Sequence, residues 1–405
     1  MENIEKLSKK DLIFFLTVYI FTRLIIIAGF IFGNKYLKKS KELGYRYVVN
    51  GQPFARFDSK WYHSIAKNGY GIVYDGSTSI HSIVFFPLYP LLSKLFSILL
   101  FIPVYTSMTI ISNIAGFLAA FYFYKFAKLS IDENENDKTA NIALMLFLTI
   151  PVSIYLNAAY ARPLLILFAI LCFYLLKKKK VYLAGLFSGL ATALNPVGVA
   201  VATGYIFYIL KKFYNERKNK EKNEHLNIKN IVKLSLIILL SFSGLAFFIL
   251  YQWIYFRNPF LFIVYQNTRN MLGKGSFISS VINGLTLRPI FMPDRTIFHF
   301  RLNEVFFGLF LFVLIVSFYK KIIEPHLLSF MCALISIDYF AHISKLNYYS
   351  ASSRILYLGF PVFLVSSVLI KKSRRKEIYL TFLMILFSIM LFYFSAWFYK
   401  GYWID

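Results

Sequence analysis

Asp58 stands in a short polar passage, "RFDSKWYHSIAKNGYG" (56–71), of a chain that is otherwise oily, with Arg56, Lys60, Tyr62 and His63 around it. An acid in such a loop can accept a proton from an attacking hydroxyl as a general base. The neighbouring cations suit a phosphate or another anion. The bland alternative is an N-cap: Asp58 is followed by residues at helical spacing and then by Asn68-Gly69, a C-terminal stop. On that spacing Trp61 with Ile65 and Tyr62 with Ala66 share one side, while Lys60, His63, Ser64 and Lys67 share the other. The pattern predicts a short helix lying in a membrane interface, apolar side down. His63 has no second His or acid at metal-ligand spacing, so it reads as an interfacial polar residue. Arg354, after "SASS" at the outer end of an apolar run, reads either as a snorkelling side chain or as a phosphate clamp.

The elements that must hold these residues follow from composition. Of 405 residues, 58% are hydrophobic and 20% aromatic, and apolar runs recur from end to end. That excludes a soluble globule and predicts a polytopic, all-α membrane protein of a single domain, 1–405, with no repeat of fixed period. The net charge of +26 does not point to nucleic acid, because Lys and Arg cluster between apolar runs, where cytoplasmic loops place them. Cys172 and Cys332, the two cysteines, lie in apolar runs and form neither a disulfide framework nor a zinc motif. The first run, about 13–34, is too long for a signal-peptide core and reads as a retained anchor.

With Lys6, Lys9 and Lys10 cytoplasmic, the loop from Lys35 to about His81 faces outside. The next run carries Pro87, Pro90, Pro103 and Lys94 and reads as an embedded or interfacial helix rather than a full crossing. Crossings are then expected at about 105–128, 139–157, 163–176, 181–194, 197–210, 233–256, 303–319, 327–342, 355–370 and 378–398, roughly eleven in all. The outer segments gather Asp58, His63, Tyr160, Arg162, Asn195 and Arg354, together with the external cations Lys35, Lys38, Lys39, Lys41 and Arg46. An anionic ligand or lipid head group at the outer leaflet accounts for that charge. Arg23 falls mid-span, where a cation facing lipid costs at least a few kcal/mol. It needs a partner or a wet cavity, and Asp338 is a candidate.

Taken in order, "FDSKWYHSIAKNGY", "FFPLYPLL", "NAAYARPLLILFAILCFYLL", "AGLFSGLATALNPVGV", "RNPFLFIVYQ" and "SSRILYLGFPVFLV" resemble the family of the second mannosyltransferase of GPI-anchor synthesis (PIG-V-like) and its prokaryotic relatives, up to about residue 365. That family belongs to the GT-C superfamily of multi-span glycosyltransferases, which use a polyprenyl-phosphate sugar on the non-cytoplasmic side. The resemblance implies that Asp58 occupies the catalytic acid position. It also implies a lipid-phosphate leaving group that needs cations, with Arg354, Arg56, Lys60 or Arg162 able to supply them. Tyr62, Tyr160, Tyr348 and Tyr349 are flat, hydroxyl-bearing residues of the kind that contact sugars, and equally of the kind that anchor helices at interfaces.

The chain departs from the family where an acid usually follows the Tyr-Ser pair, reading Tyr160-Ala161-Arg162, and where Arg usually precedes Pro, reading Asn195-Pro196. Asn258 likewise replaces a common acid. If the first two positions pair in the family, this chain lacks the pair and carries extra positive charge. The expectation is inverting sugar transfer from a polyprenyl-phosphate donor to a lipid- or glycan-linked acceptor, in a plasma membrane with the active face outside, or in an ER membrane if the source is eukaryotic. The rival is a non-catalytic lipid-phosphate binder or a transporter-like protein with broken helices around Asn195-Pro196. Expected partners are the sugar donor, the acceptor and membrane lipids, with no nucleic acid; the sequence does not specify a metal.

Overall fold

The computed structural model describes residues 7–38, 52–72, 78–131, 136–218, 228–270, 295–342, 352–402 and 404. Lys39, Lys41, Arg46, Tyr348, Tyr349 and most of the loop between Arg257 and Asn303 lie outside the described residues.

The described chain is built from helices: α1 (Lys9–Tyr36), α2 (Ser59–Asn68), α3 (Leu88–Leu99), α4 (Val104–Ser130), α5 (Asn136–Thr149), α6 (Arg162–Lys177), α7 (Val181–Thr192), α8 (Gly198–Lys218), α9 (Ile228–Ser241), α10 (Ser243–Phe256), α11 (Leu261–Asn270), α12 (Arg295–Lys320), α13 (Pro325–His342), α14 (Ser352–Leu356), α15 (Pro361–Lys372) and α16 (Lys376–Tyr399). Two 3-10 turns, Ile80–Val84 and Pro151–Leu156, and a two-residue antiparallel pair, β1 (Gly71–Ile72) with β2 (Thr78–Ser79), complete it.

Local chemistry sets many of these ends. Ser8 and Asp11 form a reciprocal capping box at the start of α1. Pro163 and Pro361 sit in the first turns of α6 and α15, where a missing N–H breaks no helix bond.

Among the described residues, three helices, α1, α4 and α16, are long and apolar enough to cross a bilayer, and five shorter apolar helices accompany them. The outer faces of α1 and α16 carry large apolar residues left uncovered by protein, among them Ile20, Leu24, Ile31, Phe382 and Ile385. Such surface is stable only against lipid. The expected crossing at 233–256 is not one straight helix: α9 and α10 meet at Phe242 with a 66° bend. The run after residue 83 yields α3, a 12-residue helix, which at 1.5 Å per residue is about 18 Å long and cannot span.

Small residues let the helices meet. A Cβ on Gly29 would stand 2.4 Å from the Phe392 carbonyl oxygen, and one on Gly33 2.7 Å from that of Ala396, so α1 and α16 touch backbone to backbone. The result is a bundle with two chemically different ends. At one end are the ion pairs of Lys128 with Asp11 and of Lys177 with Glu324 (2.6 Å), near the basic loops. At the other are the Asp58 loop, the turn between α5 and α6, α14 and the last turn of α16.

Candidate active site

Asp58 opens α2, yet its carboxylate makes no capping bond to the helix. The first turn is secured instead by backbone: the Asp58 carbonyl accepts from the N–H groups of Trp61 (3.0 Å) and Tyr62 (3.4 Å). The N-cap reading therefore does not describe the side chain. The preceding Phe57 takes a left-handed conformation, φ 44°, which costs roughly 1–3 kcal/mol for a non-glycine residue. Its ring is buried near Phe398 of α16, centroids 6.1 Å apart, and that packing holds the turn.

The Asp58 loop is docked on the α5–α6 turn. The Ala159 N–H donates to the Phe54 carbonyl (3.0 Å), and the Ser59 hydroxyl donates to the Ala159 carbonyl (3.1 Å). That turn sits deep, because Ser112, well inside α4, donates to the Tyr160 carbonyl at 3.2 Å. A short α6 and the 3-10 break at Pro151 thus hold the Asp58 loop down in the bundle mouth.

Opposite Asp58 stands Arg354 of α14, its Nη1 3.5 Å from Asp58 Oδ2. The carboxylate is 21% exposed and the guanidinium 10%. At that length the contact is at the outer limit of a hydrogen bond, so the pair is easily parted. The Arg354 guanidinium lies 5.5 Å over the Tyr155 ring, which stacks on Tyr160 with centroids 5.9 Å apart. Phe398 closes the same wall, edge-on to both tyrosines. Asp58, Arg354 and Tyr160 are therefore brought together, and Arg162 heads α6 two residues beyond Tyr160.

The other expected residues make the following contacts. Arg56 is 2% exposed, and its Nε and Nη1 donate to backbone carbonyls. Burial brings its guanidinium down to about 10, still charged at neutral pH. Lys60 lies 4.9 Å over the Trp61 ring. Tyr62 is core, edge-on to Phe85 and Tyr89 at about 5 Å. His63 stacks flat on Tyr105 at 4.0 Å, and burial, with Lys67 nearby, lowers it to about 4. Asn195 closes a turn, its Oδ1 accepting from the Val197 N–H at 3.0 Å.

Two further corrections follow. The sequence placed α2 on lipid, but Tyr62, Ser64, Ile65 and Ala66 are buried against protein. And Arg23 donates to Asn157, a neutral partner, and to Thr22 (3.4 Å), rather than to Asp338. Tyr155, Phe398 and Tyr399 escaped the sequence reading, since aromatics in apolar runs carry no mark of their own.

Comparison with known proteins came down on one family. Residues 41–262 match the family described as mannosyltransferase (PIG-V). No curated protein matches the chain. Among solved structures, the apo oligosaccharyltransferase of Archaeoglobus fulgidus is 14% identical, with a TM-score of 0.45, over 96% of this chain and 56% of its own. The same organism's oligosaccharyltransferase AglB, in complex with an inhibitory peptide and a dolichol-phosphate, gives 14% identity and a TM-score of 0.47 over 98% and 56%. The chain thus spans about half the length of these structures.

Proposed function

The chain belongs to the mannosyltransferase (PIG-V) family, and from that premise we propose that it moves a hexose, mannose by the family's activity, from a polyprenyl-phosphate carrier to an acceptor hydroxyl on the non-cytoplasmic face of the membrane. The observation that carries this reading is the Asp58–Arg354 pair at the bundle mouth: an acid without capping duty facing a cation held on an aromatic ring. The acceptor hydroxyl attacks the anomeric carbon, and its proton goes to Asp58. The carbon–oxygen bond to the lipid phosphate breaks with inversion. The leaving phosphate is already charged, so it needs cations rather than an acid, and Arg354 supplies one.

In-line displacement needs base and cation on opposite sides of the anomeric carbon. Donor entry therefore parts the pair, and its 3.5 Å length makes that cheap. The acceptor is lipid- or glycan-linked, and the membrane is a plasma membrane with the N-terminus cytoplasmic.

Asp58→Asn tests this in nanodiscs, with dolichyl-phosphate mannose as donor and octyl mannoside as acceptor. General-base loss is expected to lower transfer by about 10²–10⁴-fold, with dolichyl-phosphate binding retained. Full transfer by the variant would refute the mechanism. Binding with no transfer even in the wild type would establish the rival reading, a lipid-phosphate binder, which the cation Arg162 in place of an acid favours.

A further inference from the structure

The geometry points to Arg56 as a positioning residue: its guanidinium fastens the loop that carries Asp58 to the last turn of α16, and it acts on transfer through Asp58 rather than by holding the lipid phosphate. The inference rests on Asp58 being the base. Its Nη1 donates to the carbonyls of Gln52 (2.6 Å) and Ala55 (2.8 Å), within the loop. Its Nε donates to the carbonyl of Tyr399 (3.0 Å), 343 residues away. The guanidinium also lies 5.2 Å over the Tyr399 ring.

Three of the five guanidinium N–H groups are thereby committed to buried carbonyls that need donors. Among the described residues no carboxylate lies within ion-pair distance of Arg56, so its charge is spent on carbonyl dipoles. A planar fork suits this task, because it reaches two chain segments at fixed angles; a lysine ammonium is a single point on a flexible stem. The anchor is itself held. The Lys400 Nζ donates to the Asn34 carbonyl at 3.1 Å, and the glycine seam presses α16 onto α1. The Arg56 carbonyl and N–H both bond Ser59, so any shift of the guanidinium is passed to the start of α2, where Asp58 stands.

The rival role is direct contact of the two Nη2 donors with the donor phosphate. Arg56→Lys separates the two in the same nanodisc assay. Positioning predicts that kcat falls by about 10²-fold, the effect of misplacing a reacting group by about 1 Å. KM for dolichyl-phosphate mannose and affinity for dolichyl phosphate should stay within about twofold, and the amides of 52–59 should exchange hydrogen faster. A raised KM or weakened lipid-phosphate affinity at unchanged kcat overturns the proposal, as does no change at all. Should the variant fail to fold, exchange in the wild type decides. Amides 52–59 and 396–400 opening together supports the clamp, and loop amides exchanging freely while 396–400 stay protected refutes it. Full activity of Asp58→Asn would remove the base assignment alone, because the exchange result reads the clamp without reference to transfer.

Discussion

His63 illustrates how burial redirects a residue whose type suggests chemistry. Stacked flat on Tyr105 and held near a pKa of about 4, it is neutral at physiological pH and is no proton donor there. Its folded pKa lies below the unfolded value of 6.5, so between about 4 and 6.5 the unfolded chain binds more protons. The stability this lends is complete above 6.5 and is lost as pH falls toward 4. His63→Phe keeps the stack and removes the titration. Melting temperatures in detergent, each taken relative to pH 7.5, are expected to fall less toward pH 4 in the variant than in the wild type. Parallel curves would remove the desolvation account. The same physics separates Arg56 from Arg354: sequence offered both as phosphate cations, but one is surrounded by carbonyls and the other faces an acid at the mouth.

At the scale of elements, the seam of α1 with α16 controls the site from a distance, because α16 ends in Phe398, which packs on Tyr160, and Tyr399, which receives Arg56. Gly33→Leu must force those backbones apart, since a Cβ there already stands 2.7 Å from the Ala396 carbonyl oxygen. Overpacking of this kind costs typically 1–3 kcal/mol. Expected are a melting temperature lowered by several degrees and a larger proportional loss of transfer. Ile31→Val, on the exposed face of α1, is the control. Wild-type melting and transfer by Gly33→Leu would show that the seam does not set the site. Helix ends were largely legible in sequence: the expected run 163–176 is Arg162–Lys177, and 378–398 is Lys376–Tyr399. The bend at Phe242 was not, because its mark, Ser243-Gly244 just beyond, lies inside an apolar run that reads as one continuous span.

Across the whole molecule, the charge pattern and the three-dimensional packing agree on which loops share an end. Segments expected outside, around Asp58, Ala159 and Arg354, touch one another, while Lys128 and Lys177, expected inside, pair with Asp11 and Glu324 at the opposite end. The orientation in the membrane is testable by labelling. In a Cys332→Ser background, Lys67→Cys, at an exposed position near the end of α2, should react with a membrane-impermeant maleimide in intact cells, and Lys179→Cys only after permeabilisation. The reverse pattern would invert the topology and place Asp58 on the cytoplasmic side.

Hydropathy, charge clusters and punctuating prolines are local properties, so the sequence alone determined the membrane class, most helix limits and the polar passage around Asp58. The division of labour among its charged residues was decided by tertiary structure. Asp58 meets Arg354 across 296 positions and Arg56 meets Tyr399 across 343, and no local propensity encodes contacts at such separations. Those pairings arise from backbone approach at glycines and from a deep-set α5–α6 turn, which together fix one acid opposite one cation and turn the other cation into a clamp.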